Sequence, residues 1–206
     1  MSAATLARPV VASTPTRPYE VPTLSPDRTE VVRIPMTFEE YENLKYEGKV
    51  EYVNGEAVFD VAARLSHGEA IIEFGVLLRQ TFPDLVTGTD VDIFSGLNVR
   101  RPDIILVERP ANSNVTLKLA PVVVVEITSP STRSEDWLRK ANEYHKINAQ
   151  QYWLADPEAR TLAIFANDGE WWTPVAELDA DNPTASIPVG DHGTVEVDLN
   201  QLLPVR

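Results

Sequence analysis

Two acids at strand edges, Asp103 and Glu126, and a lysine at helical phase behind them, Lys140, have the types to do chemistry together. Asp103 opens the apolar run IILV, and Glu126 stands near the end of the run VVVVEI. Both runs are short, rich in β-branched residues and bounded by Pro, Asn or Ser, which is how strands buried on both faces read. A carboxylate at the edge of such a strand is costly to bury unless a cation or hydrogen-bond donors meet it, so positive charge is expected nearby. Acids at strand ends suit a hard cation such as Mg²⁺, which prefers oxygen ligands, takes one or two carboxylates and keeps several waters. Two carboxylates alone would also permit acid/base work on a sugar. His67, His145 and His192 lack the close pairing of a zinc site.

Lys140 is the first candidate for the positive charge. In RSEDWLRKANEYHK, Ser134 can cap a helix whose first turn carries Glu135 and Asp136. Trp137, Leu138, Ala141, Tyr144 and Ile147 give it an apolar stripe, with Lys140 at the border. If the helix packs back across the strand it follows, the ammonium reaches the carboxylates. The other reading is an i, i+4 ion pair with Asp136 on the helix surface. Glu51 lies in a hairpin, because Asn54-Gly55 between β-prone runs is a strong two-residue turn signal. That turn sets Val53 against Glu56, Tyr52 against Ala57 and Glu51 against Val58, so Glu51 shares a sheet face with Val53 and Val58. This is an odd place for a solvated acid, although a solvated hairpin acid is the alternative.

The remaining elements frame these residues. MTFEEYENLKYEG reads as a short helix with Thr37 and Glu40 as capping box and Gly48 as stop. Ser66 to Phe82 reads as a second helix, capped by Ser66 and Glu69, with Ala70, Ile71, Phe74, Leu77 and Leu78 inward. His67 in its first turn reads as a surface histidine. TGTDVDIFSG reads as a strand partly facing solvent, with Asp90 and Asp92 as second-rank acids for the site. QYWL and TLAIF are strands, ANDG turns into EWWTPV with Trp171 and Trp172 on opposite faces, and TVEVDLNQLL alternates Val195 and Val197 with acids. Helices interleaved with strands in this order imply an α/β fold with a mixed sheet.

The ordered set MTFEEYENL, VEYVNGE, RPDIILV, VVVVEITSPST, the helix around Lys140 and QYWLADPEART resembles the Uma family of restriction-endonuclease-like proteins, within the PD-(D/E)XK nuclease superfamily, from about residue 36 to 203. The resemblance implies a restriction-endonuclease-like core, a mixed β-sheet flanked by helices, with added N-terminal and C-terminal β-hairpins. It implies a metal-dependent endonuclease that hydrolyses phosphodiester bonds in DNA. Asp103 and Glu126 would hold Mg²⁺ or Mn²⁺, Glu51 would be a further ligand directly or through water, and Lys140 would orient the attacking water. The superfamily's usual lysine, two positions after the glutamate, is Thr128 here, and the resemblance moves that role to Lys140. Related nucleases often pair two sites, which makes a homodimer the expected partner state. The alternative is a catalytically silent binding or regulatory module on the same fold, for which Thr128 and the acidic composition speak.

Composition bounds these readings. The 206 residues, 43% hydrophobic and 24% charged, can bury a sizeable core and read as one domain over 31–206. Residues 1–30 hold five prolines without apolar periodicity and read as a flexible tail. With no cysteine there is no disulfide, thiolate metal site or cysteine nucleophile. The chain carries no secretory signal pattern and no spanning run, so a soluble cytoplasmic protein without membrane contact is expected. A net charge of −13 opposes bulk attraction to a polyanion. From Leu97 to Lys146, however, eight basic residues face six acidic ones, while the rest holds ten basic and twenty-five acidic. Binding to DNA is therefore expected to be weak and helped by divalent metal.

Overall fold

A computed structural model describes residues 31–46, 48–59, 65–109, 120–128 and 139–204. The proline-rich stretch 1–30 and the helix start from Ser134 to Leu138, including Asp136, lie outside these residues. In chain order the first elements are β1 (Val32–Pro35), α1 (Phe38–Glu42), β2 (Val50–Val53), β3 (Glu56–Phe59) and α2 (Leu65–Thr81). Next come β4 (Val86–Gly88), β5 (Ile93–Ser95), β6 (Asn98–Arg100), β7 (Ile104–Val107) and β8 (Val123–Ile127). The chain continues through α3 (Ala141–Lys146), β9 (Gln151–Asp156), β10 (Thr161–Asn167), β11 (Trp172–Leu178), β12 (Thr184–Pro188), β13 (Thr194–Asp198) and α4 (Leu199–Leu202).

The N-terminal sheet has the order β1-β3-β2-β6-β5 and is antiparallel throughout. Its β2–β3 hairpin turns on Asn54 (φ 53°) and Gly55 (φ 86°), both in the left-handed region that a two-residue turn of this hand requires. The expected register holds, with Glu51 opposite Val58, Tyr52 opposite Ala57 and Val53 opposite Glu56. The Thr37–Glu40 capping box also forms, Glu40 N donating to Thr37 Oγ1 at 3.2 Å and Thr37 N to Glu40 Oε2 at 2.7 Å. Gly48 is not the stop, however. Asn43 ends α1 early because its side-chain amide takes the Glu39 carbonyl at 2.7 Å.

The central sheet has the order β11-β10-β9-β8-β7-β4, with β8 and β9 parallel and the other pairs antiparallel. Strands β7 and β8 are buried along their whole length. Alternation splits β8 between two cores. Val123, Val125 and Ile127 pack under α2 with Ala70, Phe74, Leu78 and Trp153, whereas Val124 packs under α3 with Ala141, Tyr144, Tyr152 and Leu154. Glu126 follows Val124 on the α3 face. The β12–β13 hairpin covers part of the α2 side, where Val195 and Val197 are buried while Thr194 and Glu196 are exposed. Trp171, just before β11, is exposed, whereas Trp172 at its start is buried.

Several local expectations are corrected. Helix α2 already includes Leu65, so Ser66 lies within it rather than capping it. TGTDVDIFSG is not one strand, because Asp90 at φ 54° breaks the extended run between β4 and β5. Among the described residues, no helix is long and apolar enough to cross a membrane.

Candidate active site

Strands β7 and β8 pair antiparallel, with Ile104 opposite Val125, so one further step of that register brings Asp103 opposite Glu126. Both carboxylates are buried, Asp103 at 6% and Glu126 at 1% exposure. Asp103 Oδ2 accepts the Ile127 amide at 2.8 Å, and its Oδ1 accepts Lys49 Nζ at 2.7 Å. Glu126 Oε2 accepts Lys140 Nζ at 3.0 Å, and Oε1 accepts the Tyr144 hydroxyl at 2.5 Å. Arg139 and Lys140 are in π-helical conformation immediately before α3, a widening often found at functional sites. From there α3 lies on the Glu126 face and delivers Lys140 and Tyr144, one turn apart, to the two oxygens of one carboxylate. Lys140 is only 4% exposed, so a solvated ion pair on a helix surface does not describe it.

Glu51 reaches the same place from β2. It is 5% exposed, so the solvated hairpin acid is set aside. Its Oε2 accepts Arg100 Nη1 at 2.9 Å, its Oε1 accepts the Arg101 amide at 2.8 Å, and Lys140 Nζ stands 3.9 Å from Oε1. All four residues singled out from the sequence thus lie in one buried, hydrogen-bonded group.

Four more residues belong to this group and were not singled out as members of it. Lys49 is two residues before Glu51, so strand alternation alone would have placed it on the Glu51 face. Arg100 is 1% exposed and spans Glu51 and Glu143, donating to Glu143 from Nε at 2.6 Å and Nη2 at 3.0 Å. Glu143 lies on α3 one residue before Tyr144, and its role was unreadable without knowing where β6 runs. The Tyr144 hydroxyl was counted only as part of an apolar stripe. His67 is closer than expected, with Nε2 at 3.5 Å from Asp103 Oδ1. Asp92 is engaged elsewhere, by Arg101 Nε at 2.8 Å, and Asp90 is exposed. Neither joins the group.

Electrostatics follow from this packing. Burial by itself would push the Glu51 carboxyl up, but Lys140, Arg100 and Lys49, with the Arg101 amide, override it and hold the value down at about 2. Burial is likewise overridden at Asp103, where Lys49, His67 and Lys140 keep the carboxyl below the usual range. Burial would lower the Lys49 ammonium, yet Asp103 and the other acids raise it. Tyr144 is pushed up by burial and by the Glu126 charge, so it remains a hydroxyl donor. Because the folded value for Glu51 lies below its ordinary value, the unfolded chain binds the proton first as pH falls. Its stabilisation is therefore complete above pH 4.5 and is lost between pH 4.5 and about 2. Melting temperatures of wild type and Glu51→Gln over that range are expected to converge as pH falls. Parallel curves would remove Glu51 from the acid-labile interactions.

As a ligand set for a hard divalent ion, the group fits in donor type: its acids are oxygen donors, and two of them face each other across adjacent strands. It is not a tight cage. Among the described residues no three acidic or histidine side chains converge as a ready metal cluster, and lysine ammoniums occupy one oxygen each of Asp103 and Glu126. A cation bound to these acids would share or displace those contacts.

Comparison with known proteins bears on the fold and the family. No curated protein matches the chain. A crystal structure from Anabaena variabilis ATCC 29413, described as a putative nuclease belonging to DUF820, superposes with a TM-score of 0.69 at 20% identity, covering 82% of this chain and 98% of that one. At that identity the likeness speaks for the fold, which is the restriction-endonuclease-like mixed α/β arrangement expected. The profile of the Uma2 family, described as "Putative restriction endonuclease", matches residues 37–202, from the capping threonine of α1 to the end of α4 and across every residue of the buried group. The chain belongs to the Uma2 family.

Proposed function

We propose that this protein is a metal-dependent endonuclease that hydrolyses phosphodiester bonds in DNA, with Glu51, Asp103, Glu126 and Lys140 as its working residues. The observation that carries this reading is the burial of three carboxylates with the Lys49 and Lys140 ammoniums at one end of the central sheet. Burying that much charge is expensive, and such groupings concentrate at sites that handle charge. Mg²⁺ or Mn²⁺, held by Asp103 and Glu126 with Glu51 directly or through water, would polarise the phosphate and acidify a bound water.

The chain's own groups account for the rest. Tyr144 and Lys140 fix the two oxygens of Glu126, the Ile127 amide fixes Asp103, and Arg100 with the Arg101 amide fixes Glu51. Lys140 orients the attacking water and offsets charge that develops on the phosphate. Lys49 adds a second positive charge on the Asp103 side. A polar cleft lined in part by Asn54, Asn98, Arg139, Asn142 and Lys146 adjoins the group at Glu143 and offers a path for the phosphate backbone. In this reading residues 31–206 work as one domain with residues 1–30 as a dispensable tail. The enzyme is cytoplasmic and a homodimer, with one site for each strand of the duplex.

A second reading is favoured by one observation: both oxygens of Asp103 and of Glu126 are already held by the chain's own donors. A silent binding module on this fold would look the same. Incubating plasmid and single-stranded DNA with Mg²⁺, Mn²⁺ or chelator separates the two. Metal-dependent cleavage is expected, and its absence with both metals and both substrates would favour the silent module. Calorimetric titration with Mn²⁺ is expected to show that Glu126→Gln, which keeps the shape and removes the charge, binds at least tenfold more weakly. Unchanged affinity would take Glu126 out of the ligand set.

A further inference from the structure

Thr128 stands out among the buried polar groups. It is 5% exposed, and its Oγ1 has no hydrogen-bond partner among the described residues. A buried hydroxyl left unpaired costs free energy, and native proteins keep few of them without a reason such as a ligand. Its backbone continues β8, since Thr128 N donates to Ala155 O at 2.7 Å beside the parallel pairing of Ile127 with Ala155. Alternation then puts its side chain on the face of Val124 and Glu126, the face that receives Lys140 and Tyr144.

The Thr128 hydroxyl makes no hydrogen bond to the Glu126 carboxylate two residues back on the same strand face. A bound group would satisfy it. Its character follows from its surroundings. The Glu126 oxygens are taken by Tyr144 and Lys140, and the Asp103 oxygens by Lys49 and Ile127, so the nearby acceptors already have donors. A hydroxyl is also a donor. With the Lys140 ammonium on the same face, at Glu126, an oxyanion is the ligand that satisfies both.

We propose that the Thr128 hydroxyl and the Lys140 ammonium form a subsite for a phosphoryl oxygen, with Thr128 donating a hydrogen bond to it. The proposal deepens the nuclease reading and rests on it for the identity of the substrate, but not for the binding of an oxyanion. Thr128→Val keeps the shape and removes the hydroxyl, whereas Thr128→Ser keeps the hydroxyl.

The test compares wild type and both variants in melting temperature, in binding of inorganic phosphate and in single-turnover cleavage of DNA with Mn²⁺. Thr128→Val is expected to melt no lower than wild type, because an unpaired buried donor is removed. A fall of several degrees would show that the hydroxyl holds the fold and would overturn the proposal. Phosphate is expected to raise the melting temperature of wild type and Thr128→Ser more than that of Thr128→Val, with about tenfold weaker binding to the valine variant. General stabilisation by phosphate exclusion acts on all three proteins and cancels in the comparison. Equal phosphate responses in all three would overturn the subsite. Cleavage is expected to fall about tenfold or more in Thr128→Val and to return in Thr128→Ser. If wild type does not cleave DNA, the nuclease reading fails while the phosphate comparison still decides the subsite. Equal cleavage by wild type and Thr128→Val overturns the subsite and leaves the nuclease reading standing.

Discussion

Lys140→Met is expected to lower the single-turnover rate constant for DNA cleavage by about 10²- to 10³-fold at saturating DNA and Mn²⁺, the usual effect of removing one preorganised charge stabiliser from a dry site. Two geometric facts set the expectation. The ammonium is 4% exposed, so its field is poorly screened, and it lies 3.0 Å from Glu126 and 3.9 Å from Glu51, next to the proposed metal ligands. If its main effect is on charge that appears as water attacks phosphate, the rate falls while metal affinity is undiminished. Affinity is even expected to rise, because a competitor for Glu126 Oε2 has been removed. The metal-free variant should melt lower than wild type, since Glu126 loses the Lys140 ammonium and keeps the Tyr144 hydroxyl, and Mn²⁺ should recover part of that loss. Rates are therefore measured well below the variant's own transition. A variant that cleaves as fast as wild type would return Lys140 to a purely structural role.

What the sequence disclosed and what it hid follow from the range of the interactions involved. Local chemistry was legible: Asn54-Gly55 fixed the hairpin register, and that register alone put Glu51 on an apolar face. Strand runs with acids at their edges located Asp103 and Glu126, because burial on both faces leaves a continuous apolar signature. The partners of those acids were harder to see. Lys140 was recoverable from helical phase. Lys49 and Arg100 approach from the N-terminal sheet, Lys49 across 54 positions of chain and Arg100 across 49 to Glu51, and no periodicity reports such a meeting. Edge and hairpin strands such as β1 and β12 were missed for a related reason. They are short, and their apolar residues pack one side at a time, so the alternation is too brief to stand above background.

The failures at α1 and at Asp90 share a cause as well. Gly48 and the alternating Asp90–Val91–Asp92 were read by residue type, whereas the chain followed a specific hydrogen bond in one case and a left-handed turn in the other. Such devices are satisfied by a single side chain and leave little trace in a windowed pattern.

Arg100→Met is expected to be the most destabilising single substitution in the site, by about 3–5 kcal/mol, as is usual when one partner of a buried ion pair is removed. Arg100 is 1% exposed, and its three described donors meet two carboxylates from different elements, Glu51 on β2 and Glu143 on α3. It is thus the tie between the N-terminal sheet and the helix that carries Lys140. Methionine fills a similar volume but leaves two buried acids short of donors. Glu143 keeps Asn98 Nδ2 at 3.2 Å, and Glu51 keeps the Arg101 amide at 2.8 Å. For a chain of this size, a loss of about 3–5 kcal/mol corresponds to a fall of about 6–20 °C in melting temperature. Adding Glu143→Gln to Arg100→Met removes one of the stranded charges and is expected to restore part of the loss, which a double-mutant cycle measures directly. Arg100→Lys should rescue poorly, since an ammonium cannot span two carboxylates with the fixed fork of a guanidinium. A loss below about 1 kcal/mol for Arg100→Met, the range of a solvated ion pair, would show that the tie is not needed to hold Glu51 in the site.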